Sequence, residues 1–301
     1  EKQSIYIWRG AYPEAFKSIC NKPNFSHIFM GDNFRSCQQI QNYSNLLCEE
    51  TQRLYKPVED LNSIILLSPQ TSNWASEVLR YISPGKKTAL LRFSNNNARN
   101  GARELTAKGS SFIYIPQTPI SEITTETAWL YSAIAKYCIL DRYSAYDLVS
   151  EIPVEGNESR KTVADIKRML LLIKNSNDNE LLFYRNVSEL AEYLGYNTRA
   201  DHLRKLFETI SNPIYHVSFE PDQYQNIAIT FHSSKGLEFD QVIVFTDDYR
   251  LSDMPSIYNH YVAVTRAKSK LIIVKEYTYN SNCYQENIQI EIGRASCRER
   301  V

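Results

Sequence analysis

No apolar run in these 301 residues approaches the ~18 consecutive residues that a helix needs to cross a bilayer. No charged start leading into an apolar core suggests a signal peptide, so a cytoplasmic protein without a membrane partner is expected. Six cysteines are present (Cys20, Cys37, Cys48, Cys138, Cys283, Cys297), but never as C-x-x-C, which leaves neither a zinc site nor a disulfide framework supported. An excess of one charge is also missing, because 34 basic residues balance 34 acidic ones. The global basic signature of many nucleic-acid binders is therefore absent. Neutrality lowers the expectation of DNA binding without removing it, since one groove can concentrate positive charge that the whole chain hides. A G-x-x-x-x-G-K-S/T phosphate loop is missing too; the nearest decoy, Gly85-Lys86-Lys87-Thr88, has Arg80 where the first glycine belongs.

What is present reads as an ordinary globular composition, 43% hydrophobic and 23% charged, with room for two modest domains. Through residue 116, strand-like and helix-like patterns alternate. Strands are expected over 24–30, 62–67, 88–93 and 111–115, and helices over 32–50, 72–82 and 97–107. Strands separated by helices of this length imply a parallel sheet with crossovers, an α/β class. From 117 to 222 helix-length segments dominate (125–140, 161–174, 187–194, 198–210), with Pro116, Pro119, Pro213 and Pro221 at the two edges. The sheet is expected to resume over 226–231, 241–245 and 270–275, with a helix at 256–267.

Two blocks near the end carry the chemistry: ITFHSSKGLEFDQVIVF and YVAVTRAKSKLIIV. Each joins an apolar run to a polar segment bearing Lys or Arg, the way open parallel sheets present charge at their carboxyl edge. In the first block His232, Ser233, Ser234, Lys235 and Gly236 form a polar turn able to bind an anion. A solvated loop with a glycine turn fits the same residues. In the second block a helix ending near Ala267 would place Arg266 and Lys268 at its C-terminus, where basic residues favour the helix dipole or where the arginine is aimed at a transferred phosphoryl group.

The two blocks resemble motifs V and VI of superfamily 1A helicases of the UvrD/Rep/PcrA type. QSIYIWRGA (3–11) resembles the end of motif III, and NFRSCQQI (33–40) resembles motif IV. The resemblance implies a RecA-like P-loop NTPase-type sheet, the 2A motor domain, with a mainly α-helical 2B-type insertion. The expected division is 1–27 as the link from a first motor domain, 28–116 and 223–279 as 2A, 117–222 as the insertion, and 280–301 as a tail. Within that tail, EIGRASCRERV (291–301) resembles translated sequencing-adapter read-through and is expected to be non-native.

Carried onto this sequence, the resemblance makes Gln3 a γ-phosphate sensor and Tyr6, Trp8 and Arg9 contacts to single-stranded DNA. Phe34 stands where a tyrosine usually stacks on adenine. Arg35 and Arg266 match arginines that reach the γ-phosphate; a planar fork of donors suits that task better than a lysine. Gly236 and Glu238 belong to the nucleotide side, Glu238 as the ribose carboxylate, while His232 and Ser233 face DNA. In LLRFSNNNAR (90–99) Asn95 is the expected DNA contact, and Phe93 falls where an arginine is usual, with Arg92 one position early.

Bound ATP and Mg²⁺ are thus expected in the intact protein, with the P-loop and metal ligands upstream of Glu1, so that this chain alone is inactive. The expected partners are single-stranded DNA or a single/double-strand junction and, in compact variants, a nuclease, with roles in DNA repair or anti-phage defence. The rival expectation is a non-enzymatic DNA-binding or nuclease-partner domain that retains the helicase fold.

Overall fold

In the runs TALLR, NIAIT and FDQVIVF almost every residue is apolar or β-branched, so both faces of such strands must be covered. The computed structural model describes residues 18, 22–23, 33–48, 62–68, 73–153, 163–249 and 254–275. In chain order it forms α1 (Gln38–Cys48), β1 (Ile64–Leu67), α2 (Trp74–Leu79), β2 (Thr88–Arg92), α3 (Asn95–Ala107) and β3 (Ile113–Tyr114). Five helices follow, α4 (Ala128–Ile139), α5 (Ala145–Glu151), α6 (Val163–Lys174), α7 (Glu180–Tyr193) and α8 (Ala200–Ser211). The chain then returns to β4 (Asn226–Thr230), β5 (Phe239–Phe245), α9 (Met254–Val264) and β6 (Ala267–Val274). The six strands make one sheet, ordered β1-β6-β5-β2-β4-β3, with every pairing parallel. This is the α/β parallel architecture that the alternating pattern predicts.

The chain divides into two units, 1–114 with 224–301, and 115–223. In the first, Trp74 and Val78 of α2 and Ala102 and Leu105 of α3 pack on Leu90, Ala228, Ile243 and Ile272 of the sheet. Contact between α3 and β2 is so close that a Cβ on Gly101 would stand 2.4 Å from Leu90 Cδ2. A glycine inside a helix costs ~1 kcal/mol relative to alanine, and here the packing requires it. Helix α3 starts two residues earlier than its periodicity indicates, because Ser94 caps it with Oγ accepting from Asn97 N at 3.1 Å.

The second unit lies in sequence between β3 and β4 and has its own core, including Leu130, Ile134, Leu170, Phe183, Leu190 and Leu206. Two of its elements depart from expectation. Helix α7 begins at Glu180 instead of 187, because the exposed Leu181 and Leu182 blur its periodicity while Asn179 Oδ1 caps Leu182 N at 3.1 Å. Helix α5 was not expected; its start is held by Asp147, whose carboxylate accepts from Ser144 N at 2.7 Å and Ser144 Oγ at 2.6 Å. No helix among the described residues is long and apolar enough to cross a membrane. The expected strand at 24–30 lies outside the described residues, as do Gln3, Tyr6, Trp8, Arg9 and the tail.

The end of β2 carries a buried ion pair. Arg92 Nε donates to Asp248 Oδ2 at 2.7 Å, both side chains are under a tenth exposed, and the guanidinium lies 3.7 Å from the centre of the Phe245 ring. Arg92 is thereby committed to the interior. Replacing Asp248 with alanine would remove the carboxylate that opposes that buried charge, which costs about 3–5 kcal/mol. Denaturant titration should show a loss of that size for Asp248→Ala, and a loss under ~1 kcal/mol would mean that the pair behaves as a surface contact.

Candidate functional site

Strands β5 and β6 begin side by side, with Phe239 N donating to Arg266 O at 3.0 Å. The residues just before them, Glu238 and Arg266, therefore meet at the amino edge of the sheet. Helix α9 ends at Val264; Thr265 Oγ1 donates back to Tyr261 O (2.8 Å) and Val262 O (3.1 Å), Arg266 N closes a tighter turn on Ala263 O (3.2 Å), and the chain continues into β6. Lys268 accordingly sits in β6 and not at a helix end as its sequence context suggests. The loop before α1 docks on the same edge through Cys37 N to Lys268 O (2.7 Å) and Ser36 Oγ to Ala267 O (2.7 Å). Asn33 shapes that loop by accepting from Arg35 N at 2.9 Å and Ser36 N at 3.3 Å, an Asx turn.

Arg35 is thereby carried to Glu238, with Nε 2.6 Å from Oε1, while Lys268 Nζ lies 3.1 Å from Oε2. Arg266 is 2% exposed, and its fork donates to Val262 O (3.1 Å), Leu237 O (3.3 Å) and Thr265 Oγ1 (3.5 Å). Its pKa is pushed below the usual arginine value, first by burial and then by the nearby charge of Arg35. Phe34, next to Arg35, leaves 93% of its surface in solvent. Gly236 has φ +92°, a left-handed conformation that strains any residue with a Cβ.

His232 and Ser233 follow β4 and lie at the opposite, carboxyl edge. The imidazole of His232 stacks on the Phe231 ring with centroids 4.0 Å apart. Ser233 N donates to Thr230 Oγ1 at 3.3 Å, and Thr230 Oγ1 donates to Ser233 Oγ at 3.0 Å. Asn95 opens α3 at the same edge, its Oδ1 accepting from Tyr114 OH at 3.0 Å. The expectation that both blocks present their charge at the carboxyl edge is thus corrected, because Glu238 and Arg266 fall on the amino edge. The chain from Phe231 to Glu238 runs from the end of β4 to the start of β5, with Ser234 buried between and its Oγ donating to Phe231 O at 2.7 Å.

Lys268 is the member of this cluster that sequence reasoning passed over as a site residue. The spacing of Arg266 and Lys268 was the available signal, since residues two apart share a side in an extended segment but not in a helix. Glu238 is held below the usual carboxylate range, first by the hydrogen bond from Lys268 and then by the charge of Arg35. Its folded pKa is depressed, so the cluster's contribution is present above the ordinary carboxylate range and is lost as pH falls through the lowered value. An NMR titration of the Glu238 carboxylate should show a midpoint below that of a free glutamate, rising in Lys268→Ala and, by less, in Arg35→Ala. A midpoint that neither substitution moves would detach Glu238 from both cations.

Residues 227–274 match the family model of the UvrD-like helicase C-terminal domain. The Gabija protein GajB of Bacillus cereus (strain VD045) is 34% identical over 299 residues, which covers 97% of this chain and 59% of that protein. This chain therefore spans well under two thirds of its relative's length. Among solved structures, the C-terminal domain of a possible DNA helicase from Lactobacillus plantarum WCFS1 matches at 15% identity with a TM-score of 0.37, over 81% of this chain and 88% of that one. The chain is thus similar to the UvrD-like helicase C-terminal domain over residues 227–274 and to the Gabija protein GajB over nearly its whole length.

Proposed function

We propose that this chain is the second motor half of an ATP-dependent 3′ to 5′ DNA helicase or translocase, acting in the cytoplasm. The convergence of Arg35, Glu238, Arg266 and Lys268 from three separated stretches onto one edge of the sheet carries the reading. A cluster with three cations around one carboxylate suits a ligand that is anionic at one end and hydroxylated at the other. The exposed ring of Phe34 offers a flat apolar face beside it, as a nucleotide base would need. These residues fit ATP, with Phe34 against the base, Glu238 and Gly236 on the ribose side, and Arg35 and Arg266 toward the terminal phosphate together with Gln3. ATP would supply the transferable phosphoryl group. Arg35 and Arg266 would stabilise charge that develops during its transfer, a task for fixed donors that need no rearrangement at the moment of reaction.

A P-loop and Mg²⁺ ligands are assigned to a first motor domain, and among the described residues no group of His, Cys, Asp or Glu side chains is placed to hold a metal. At the carboxyl edge His232, Ser233 and Asn95, joined by Tyr6, Trp8 and Arg9, would hold single-stranded DNA or a strand junction. The segment linking Ser233 to Glu238 would carry changes at one edge to the other. A nuclease partner and a part in repair or anti-phage defence belong to the same proposal.

In the full-length protein, Arg266→Ala should leave ATP binding largely intact while lowering DNA-stimulated hydrolysis by a factor on the order of 10³. Arg266→Lys should restore little of it, because the planar fork is lost. Equal losses of nucleotide affinity and turnover would assign Arg266 a structural role and favour the non-enzymatic reading.

A further inference from the structure

Phe93 directly follows β2 at the carboxyl edge and leaves 52% of its surface exposed. Single exposed apolar residues are common and need no explanation. The way this one is fixed sets it apart. Phe93 N donates to Asp248 Oδ2 at 3.0 Å, the same carboxylate oxygen that accepts from Arg92 Nε at 2.7 Å in the buried pair. On its other side Ser94 caps α3, so the backbone is pinned in both directions. The ring lies 5.8 Å from that of Phe231, tilted by 42°, and 6.1 Å from the imidazole of His232, nearly perpendicular at 73°. Phe231 is fully buried, so this is an aromatic step that rises from the core through His232 to an exposed ring. An exposed ring held this way loses little freedom when a second ring covers it. The cation next to it cannot take its place, because Arg92 is consumed by Asp248 and the Phe245 ring.

We propose that Phe93, with His232 beside it, is a base-stacking step for single-stranded DNA at the carboxyl edge of the sheet. The inference rests on the proposed function and specifies its strand contact: ring faces grip the bases here, while hydroxyl and amide groups serve the phosphates. Stacking tolerates any base, as a translocase requires. It also predicts a particular salt response, because only phosphate-neutralising cations steepen the dependence of affinity on salt, by about 0.7 in log–log slope per contact on single strands.

The test uses the full-length protein, fluorescence anisotropy, an oligothymidylate and an abasic strand of equal length, over a range of salt. Phe93→Ala should weaken oligothymidylate binding about 5- to 150-fold, with an unchanged salt slope. Its affinity for the abasic strand should equal that of wild type. Phe93→Trp should retain oligothymidylate affinity, and its added fluorescence should be quenched more by oligothymidylate than by the abasic strand. Phe93→Arg should steepen the slope by about 0.7. Unchanged oligothymidylate affinity in Phe93→Ala, or an equal loss on both strands, would overturn the stacking step while leaving the translocase reading in place. Failure of the wild-type protein to bind either strand would overturn both.

Discussion

Strands β4 and β5 lie on either side of β2 and run parallel to it, so the chain leaving β4 at the carboxyl edge must cross to the amino edge before β5 can start. Few residues are available for that passage, which explains much of their character. Phe231 and Ser234 are buried beneath the path, Gly236 takes the left-handed turn, and Leu237 N closes on Ser234 O at 2.9 Å. One short segment thus presents His232 and Ser233 at one edge and Glu238 at the other. Under the proposed function these ends face DNA and nucleotide. A displacement of either end is then passed on through a packed linker with little room to absorb it.

At the amino edge the competing demands are electrostatic. Glu238 now satisfies both Arg35 and Lys268, and neither ion pair is fully sheltered, so each is worth little by itself. Under the proposed function weak pairing suits cations that must change partners. A polyphosphate arriving at this edge would compete with Glu238 for Arg35, and Lys268 would keep the carboxylate from being stranded.

Much of the fold could be read from the sequence where burial on both faces left a continuous apolar run, as in 88–92 and 226–230. Boundaries failed where a cap or an exposed leucine overrode periodicity, at Ser94 and Asn179, and the short helix that Ser144 and Asp147 cap was missed altogether. The edge assignment failed for a topological reason: pattern reveals that strands are parallel but not that β4 and β5 flank β2. Arg92 and Phe93 show the same limit at a single position. Alternation puts one of them inside and one outside, yet only the partner Asp248, distant in sequence, decides that the charged residue takes the interior.

Two buried arginines among the described residues of this unit show why burial alone does not define a role. Arg92 is balanced by a full carboxylate, and its charge is spent locally. Arg266 is more deeply buried, and its fork rests on two main-chain carbonyls and a hydroxyl, neutral acceptors that orient the group while Glu238 offsets part of its charge. Charge carried into a low-dielectric surrounding and only partly offset acts strongly on an anion brought near it. Burial first, and then the nearby charge of Arg35, push the pKa of Arg266 down, while Glu238 pulls it back up. An interior chosen for stability alone would replace such a residue with an apolar one at little loss. Under the proposed function its place beside Glu238, in a shape fixed by carbonyls, suits a preorganised anion-stabilising group.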